Sequence, residues 1–151
     1  MSQSCVVRKA KVEDISWLVA ECEEFSKFFD SKIALYNPEH LGHVFEVLID
    51  SHLIFVSEVR GERSGFIAGL YTSHFLNPNI TTLTEILYWV CPQYRGSRSA
   101  LMLLNAFNEW GADHADLIAM TIEDKSPMRE ESLFKRGYRL KEKAFIREIG
   151  V

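Results

Sequence analysis

A chain of 151 residues, 47% hydrophobic and 25% charged, is long enough for a single core and apolar enough to offset the ordering entropy that keeps disordered chains open. Its formal net charge of -4 argues against a protein that holds nucleic acid through a broad basic surface. No apolar run reaches the length of a bilayer span, and Met1-Ser2-Gln3-Ser4 lacks the basic start and apolar stretch of a leader. The expectation is one domain over residues 1–151, in the cytoplasm, with no membrane partner.

Cys5, Cys22 and Cys91 are odd in number and have no metal-type spacing. They read as free thiols in a reducing compartment, and no metal site is expected.

Val6 and Val7 centre a short first strand over Cys5 to Lys9. Ile15, Leu18, Val19 and Cys22 recur at helical spacing, which predicts a helix from Val12 to Phe29. Asn37-Pro38 supplies a cap and first turn for a second helix with the stripe Leu41, Val44, Phe45, Leu48. Three strand-like runs follow, His52 to Val59, Gly65 to Phe75 and Thr81 to Val90, separated by turns at Gly61–Ser64 and Asn77–Asn79. They predict an antiparallel meander.

A strong helix then runs to Asp113, with Leu103, Phe107 and Trp110 on one face. Leu117 to Ile122 reads as a strand, Ser126-Pro127 as the opening of a short helix that stops at Gly137, and Ala144 to Ile149 as a last strand. The order β-α-α-β-β-β-α-β-α-β predicts a mixed α+β sheet.

The segment Pro92-Gln93-Tyr94-Arg95-Gly96-Ser97-Arg98-Ser99-Ala100 carries the chemistry. A loop of small residues that enters a helix presents free N–H groups and the positive end of the helix dipole, which is an anion site. Arg95 and Arg98 add charge-assisted donors. The Gly-Lys-Ser/Thr ending of a Walker loop is missing, and one glycine does not make a dinucleotide fingerprint. On these residues alone the segment reads either as a phosphate loop or as a plain turn with solvated arginines.

Val90 to Ala100 resembles the acetyl-CoA signature of GNAT acetyltransferases: Arg or Gln, two residues, Gly, one residue, Gly or Ala, after a strand ending in Val-x-Pro. Arg95 and Ala100 match its ends, and Arg98 stands at the usual middle glycine. Val6–Ala10 with Val12–Ile15, Phe66–Gly69 and Leu133–Tyr138 resemble other GNAT segments in the same order. The resemblance implies the GNAT fold, a mostly antiparallel mixed sheet of six to seven strands flanked by about four helices. It implies acetyl-CoA as cosubstrate and an amine as acceptor, acetylated by direct attack in a ternary complex. It also implies that the backbone of Trp89 and Val90 holds the thioester carbonyl and pantetheine arm. The amides of Arg95, Gly96, Ser97, Arg98, Ser99 and Ala100 would hold the pyrophosphate. Ser126 falls where a pantetheine-contacting Asn is usual; a helix cap explains it equally.

Acetyl transfer to an amine needs a base. Glu85 sits mid-strand among Leu83, Leu87 and Trp89, where a carboxylate is costly without a purpose or partner. Its two readings are catalytic base, as GNAT proteins often place on this strand, and cross-strand ion-pair partner. Where the family often carries an acidic Tyr, this chain has Leu133, or Phe134 after a one-residue shift, so the leaving thiolate takes its proton from solvent or another donor. Tyr88 and Tyr138 are nearby and also read as core residues. The missing Tyr and Arg98 keep open a second function, a catalytically weakened GNAT-fold protein that binds acetyl-CoA as ligand or regulator.

His40 and His43 share a helix face without a third metal ligand, and His74 reads as a loop residue. Phe25, Phe28, Phe29 and Tyr36 read either as helix packing or as an aromatic acceptor pocket, in an acidic stretch with Glu21, Glu23, Glu24 and Asp30. Pairing of edge strands would give a homodimer.

Overall fold

The computed structural model describes residues 4–150. Its strands are β1 Cys5–Lys9, β2 Leu53–Val59, β3 Glu62–His74, β4 Asn77–Val90 and β5 Leu117–Ala119, and they lie side by side in chain order. The first four are antiparallel neighbours; β5 joins β4 in parallel. The helices are α1 Ile15–Ser26, α2 Pro38–Ser51, α3 Ser99–His114 and α4 Glu130–Phe134. This is the expected mixed, mostly antiparallel α+β architecture, with five strands among the described residues instead of six or seven. No helix among them is long and apolar enough to cross a membrane.

The sheet separates two cores. Leu18, Cys22, Phe45, Leu48, Val56 and Phe66 join α1 and α2 to one face. Leu53, Ile67, Leu83, Leu103 and Phe107 join α3 to the other. Alternate strand residues serve opposite faces, so these two sets interleave along β2 to β4. Asn37 caps α2 as its sequence suggests, with Oδ1 accepting from the His40 amide at 3.1 Å.

Several boundaries differ from expectation. The predicted first helix is a helix with a 3₁₀ turn at each end, over Val12–Asp14 and Lys27–Phe29. The turn into β4 lies at Phe75-Leu76, and Asn77 already belongs to the strand. The helix predicted from Ser126 starts only at Glu130, although Gly137 (φ 88°) does follow its end. The strand predicted over Ala144–Ile149 is absent. That segment pairs with no strand, and Phe145 and Ile146 are 92% and 94% exposed. Strand-like alternation is not enough without a paired neighbour, and the Glu148 side chain of this stretch instead meets the Ser31 hydroxyl.

Asp14 ties the front of the fold together. It is 1% exposed. It accepts from Arg8 Nη1 and Nη2 at 2.8 and 2.9 Å, from Arg63 Nε at 2.8 Å and from the Lys11 amide at 2.7 Å. β1, β3 and the entry to α1 therefore meet on one carboxylate. Burial alone would raise its pKa, but the bonds from Arg8, Lys11 and Arg63 outweigh that and hold it well below the usual carboxylate range.

At the back, Gly111 lets α3 lie directly on β5. A Cβ there would meet Ile118 Cδ1 at 2.6 Å. Gly111→Ala is expected to cost about 1–3 kcal/mol by overpacking. Asp14→Ala, which leaves Arg63 without its carboxylate and Arg8 with Glu58 alone, is expected to cost about 3 kcal/mol. Urea unfolding at pH 7 measures both. Because the Asp14 pKa is depressed in the folded state, its contribution is present above the ordinary aspartate value of about 4 and fades as pH falls below it.

Candidate functional site

β4 and β5 pair only at Thr82–Leu117, Leu83–Ile118 and Thr84–Ala119. Beyond that point β4 runs on to Val90 without a partner on its β5 side. A bulge adds to the divergence. Leu87 faces Ala68 and Glu85 faces Gly69, so Ile86 is an extra residue with no opposite number. The divergence opens a cavity of about 830 Å³. Its walls are β4 from Glu85 to Val90, the Arg95–Ser97 loop with the first turn of α3, the stretch Thr121–Arg129 after β5, and the aromatic end of α1.

The loop is built from the inside. Ser57, Ser64 and Ser99 are buried, and their hydroxyls form a chain: Ser57 Oγ to Ser64 Oγ at 2.8 Å, and Ser64 Oγ to Ser99 Oγ at 2.8 Å. The Ser97 hydroxyl donates to Ser99 Oγ at 2.9 Å and accepts from the Ser99 amide at 3.2 Å. The Cys91 amide donates to the Ser64 carbonyl at 2.9 Å. Both ends of the loop are thus anchored to one residue of β3. The Ser97 and Ser99 side chains serve the loop itself.

The loop amides divide into two sets. Those of Arg95, Ser97 and Ser99 donate to the Pro92 carbonyl, the Tyr94 carbonyl and Ser97 Oγ. Those of Gly96, Arg98, Ala100 and Leu101 donate to no acceptor among the described residues. Gly96 reaches φ 90°, a conformation costly for residues with a Cβ. Arg98 is exposed, precedes α3 and is not part of the cavity wall. Arg95 reaches back over β4: Nε donates to the Val90 carbonyl at 3.2 Å, and the guanidinium lies 4.7 Å from the Trp89 ring and 5.5 Å from Phe28. The Trp89 indole donates to Glu21 at 2.9 Å. Ser126 lies in the wall, where its hydroxyl accepts from the Met128 amide at 3.2 Å; it does not cap α4.

Glu85 is 8% exposed and stands where β4 and β5 part. Its strand neighbour is Gly69, and no cation pairs with it among the described residues. The ion-pair reading therefore lacks a partner. Burial raises its pKa to about 7; the Thr121 amide, donating at 3.3 Å, lowers it, and the charge of Glu123 raises it further. Burial also raises the pKa of Tyr88, whose hydroxyl donates to the Ala100 carbonyl. Tyr138 is pushed up to about 12 by burial and donates to Asn108 at 3.0 Å. Leu133 is buried.

The remaining candidates separate. His40 and His43 are exposed on α2, and no group of three metal-type side chains occurs among the described residues. Phe25, Phe28 and Phe29 line the cavity, whereas Tyr36 packs into the α1–α2 core and donates to the Val19 carbonyl at 3.0 Å. Sequence reading missed Arg129 and Arg136, which bring further positive charge to the wall, and Thr121 and Glu123, which act on Glu85. They lie after β5, where no motif marks them. It also missed Ser57, read as an ordinary strand serine, and Ser64, read as part of a turn but lying in β3, which the fold links to Ser99.

No protein-family model matches the sequence, and no curated protein is similar to it. Solved structures are similar along nearly the whole chain. One is a predicted acetyltransferase with acetyl-CoA from Clostridium acetobutylicum, at TM-score 0.73 and 14% identity over 97% of each chain. Another is an aminoglycoside N-acetyltransferase, AAC(6')-Iy, in complex with CoA, at 0.72 and 13% over 100% of this chain and 98% of that one. A third is a transcriptional regulator from Bacillus halodurans, at 0.74 and 14% over 97% and 100%. The fold of this chain is that of the GNAT acetyltransferases.

A carboxyl whose pKa is raised by its surroundings weighs on stability. Between the ordinary value of about 4.5 and about 7, folded protein keeps a proton on Glu85 that unfolded protein has lost, so Glu85 weakens the fold as pH rises through that window. Glu85→Gln is expected to stabilise the protein at pH 8 by about 1–3 kcal/mol and to change little at pH 5. Thermal unfolding at the two pH values checks this.

Proposed function

We propose that the chain is an acetyl-CoA-dependent N-acetyltransferase with Glu85 as its base. The observation that carries the reading is a buried carboxylate with a pKa near neutrality at the fork of two strands, in one cavity with a loop of unused amides.

The residues present fit the cosubstrate. The amides of Gly96, Arg98, Ala100 and Leu101 lie at the positive end of α3, where they can take a diphosphate. Arg95, Arg129 and Arg136 in the wall supply countercharge. Ser126 and the β4 backbone at Trp89 and Val90 border the same cavity, where an extended pantetheine arm would lie. Resemblance to structures that contain acetyl-CoA or CoA supports this use of the space.

Acetyl-CoA supplies a thioester whose carbonyl carbon gains a bond to the amine nitrogen and loses its bond to sulfur. Glu85 takes the proton that the amine gives up. With a pKa near 7 it is ionised in about half the molecules at neutral pH and is a stronger base than an ordinary carboxylate. Tyr88 and Tyr138 donate to protein carbonyl groups, and Leu133 has no hydroxyl, so solvent protonates the departing thiolate. Cys22 and Cys91 are buried with thiols pushed up to about 12, which is consistent with direct transfer without an acyl-cysteine.

A second reading draws on Leu133 and on the Bacillus halodurans neighbour described as a regulator. In it the chain binds acetyl-CoA and leaves the thioester intact. Calorimetry with acetyl-CoA and thiol release with a panel of amines separate the two. The acetyltransferase reading expects binding, turnover, and a kcat limb that rises through pH 7. Glu85→Gln is expected to lower kcat by about 10²–10⁴-fold and to erase that limb, with acetyl-CoA affinity kept. Binding without turnover by any amine would leave the regulator reading standing.

A further inference from the structure

The cavity has a wall that acetyl-CoA chemistry does not explain. At the end of α1 the chain turns through Lys27–Phe29 and presents Phe25, Phe28 and Phe29 to the cavity. Phe25 packs edge-on against Trp89 at 5.7 Å and against Phe29 at 5.2 Å, and Phe28 packs edge-on against Trp89 at 5.3 Å. The cluster is therefore a held surface rather than loose side chains. Yet Phe28 and Phe29 remain 36% and 40% exposed. Two adjacent phenylalanines kept open in a cavity are characteristic of a site for an apolar ligand.

Pro127 and Met128 also line the cavity, and the segments on either side are clamped by the ion pair of Lys125 with Asp30 at 3.0 Å. A cavity lined by aromatic rings together with a proline and a methionine suits a flat apolar body better than a flexible polar chain. The charge at the fork is the complement of an ammonium. Glu85 is influenced by Glu123, a second carboxylate, and neither has a cation partner among the described residues.

We propose that the acceptor is a primary amine carried on an aromatic body by a short linker, with the ring against Phe28 and Phe29 and the nitrogen at Glu85. This rests on the acetyltransferase reading and narrows it. The same surface would bind a straight polyamine less well, because such a chain has no flat apolar body to lay against Phe28 and Phe29.

The test compares phenethylamine and tryptamine with spermidine and with a short peptide bearing a free N-terminus, each with saturating acetyl-CoA, by thiol release. The expected result is a kcat/KM at least tenfold higher for the aryl amines. Phe29→Ala is the variant of choice because Arg95 stacks over Phe28 and, among the described residues, forms no such pair with Phe29. It is expected to raise KM for the aryl amines at least tenfold, to leave acetyl-CoA affinity within twofold, and to be rescued by Phe29→Trp. Turnover of spermidine or the peptide in preference to aryl amines would overturn the substrate class and leave acetyl transfer standing. An unchanged KM in Phe29→Ala would overturn the assigned wall. Absence of acetyl-CoA binding in calorimetry would remove the parent reading together with this one.

Discussion

Two parallel strands that begin a ladder and then part leave backbone donors and acceptors with nothing opposite them. In a protein interior that is expensive, and it persists only if water or a ligand answers those groups. Here the ladder between β4 and β5 ends at Thr84–Ala119, while β4 continues to Val90. The cavity, the position of Glu85 at its apex and the access to the α3 N-terminus all follow from that early ending. The bulge at Ile86 reinforces it, because one extra residue bends β4 just where it loses its partner.

Two kinds of polar interior support this opening, and they behave differently. Asp14 is buried with every oxygen answered by arginines and an amide, so it stays charged and anchors β1, β3 and α1. Glu85 is buried with one long amide contact and a like charge nearby, so it favours its proton. The difference is local partners, not residue type. The fold places its strong ion pairing at the front of the architecture and leaves Glu85 at the fork without it. The serine chain through Ser57, Ser64 and Ser99 is a neutral version of the anchor. It fixes the loop without adding charge beside the unused amides.

Much of the architecture could be read from local pattern. The meander, the cap at Asn37 and the amphipathic stripe of α3 each depend on residues a few positions apart; all three are present, with both turns of the meander set one or two residues earlier than the pattern put them. Glu85 was visible as a charge among apolar neighbours. What could not be read depends on distant segments. The perturbed pKa of Glu85 requires Thr121 and Glu123, and the division of loop amides into used and unused depends on how the turn coils over Pro92 and Tyr94. The exposed run at Ala144–Ile149 shows the opposite failure. Its alternation is strand-like, but a strand is a relation between two segments, and this run pairs with none of the described strands.

The contact at Gly111 gives α3 a second task. One end of this helix faces the Arg95–Ser97 loop, and its other end rests without clearance on Ile118 of β5. The strand that sets how wide the fork stands is thus braced by the same rod whose tip meets the loop. With no clearance at that contact, a displacement of the helix along or across its axis has to be accommodated by β5 as well as by the loop.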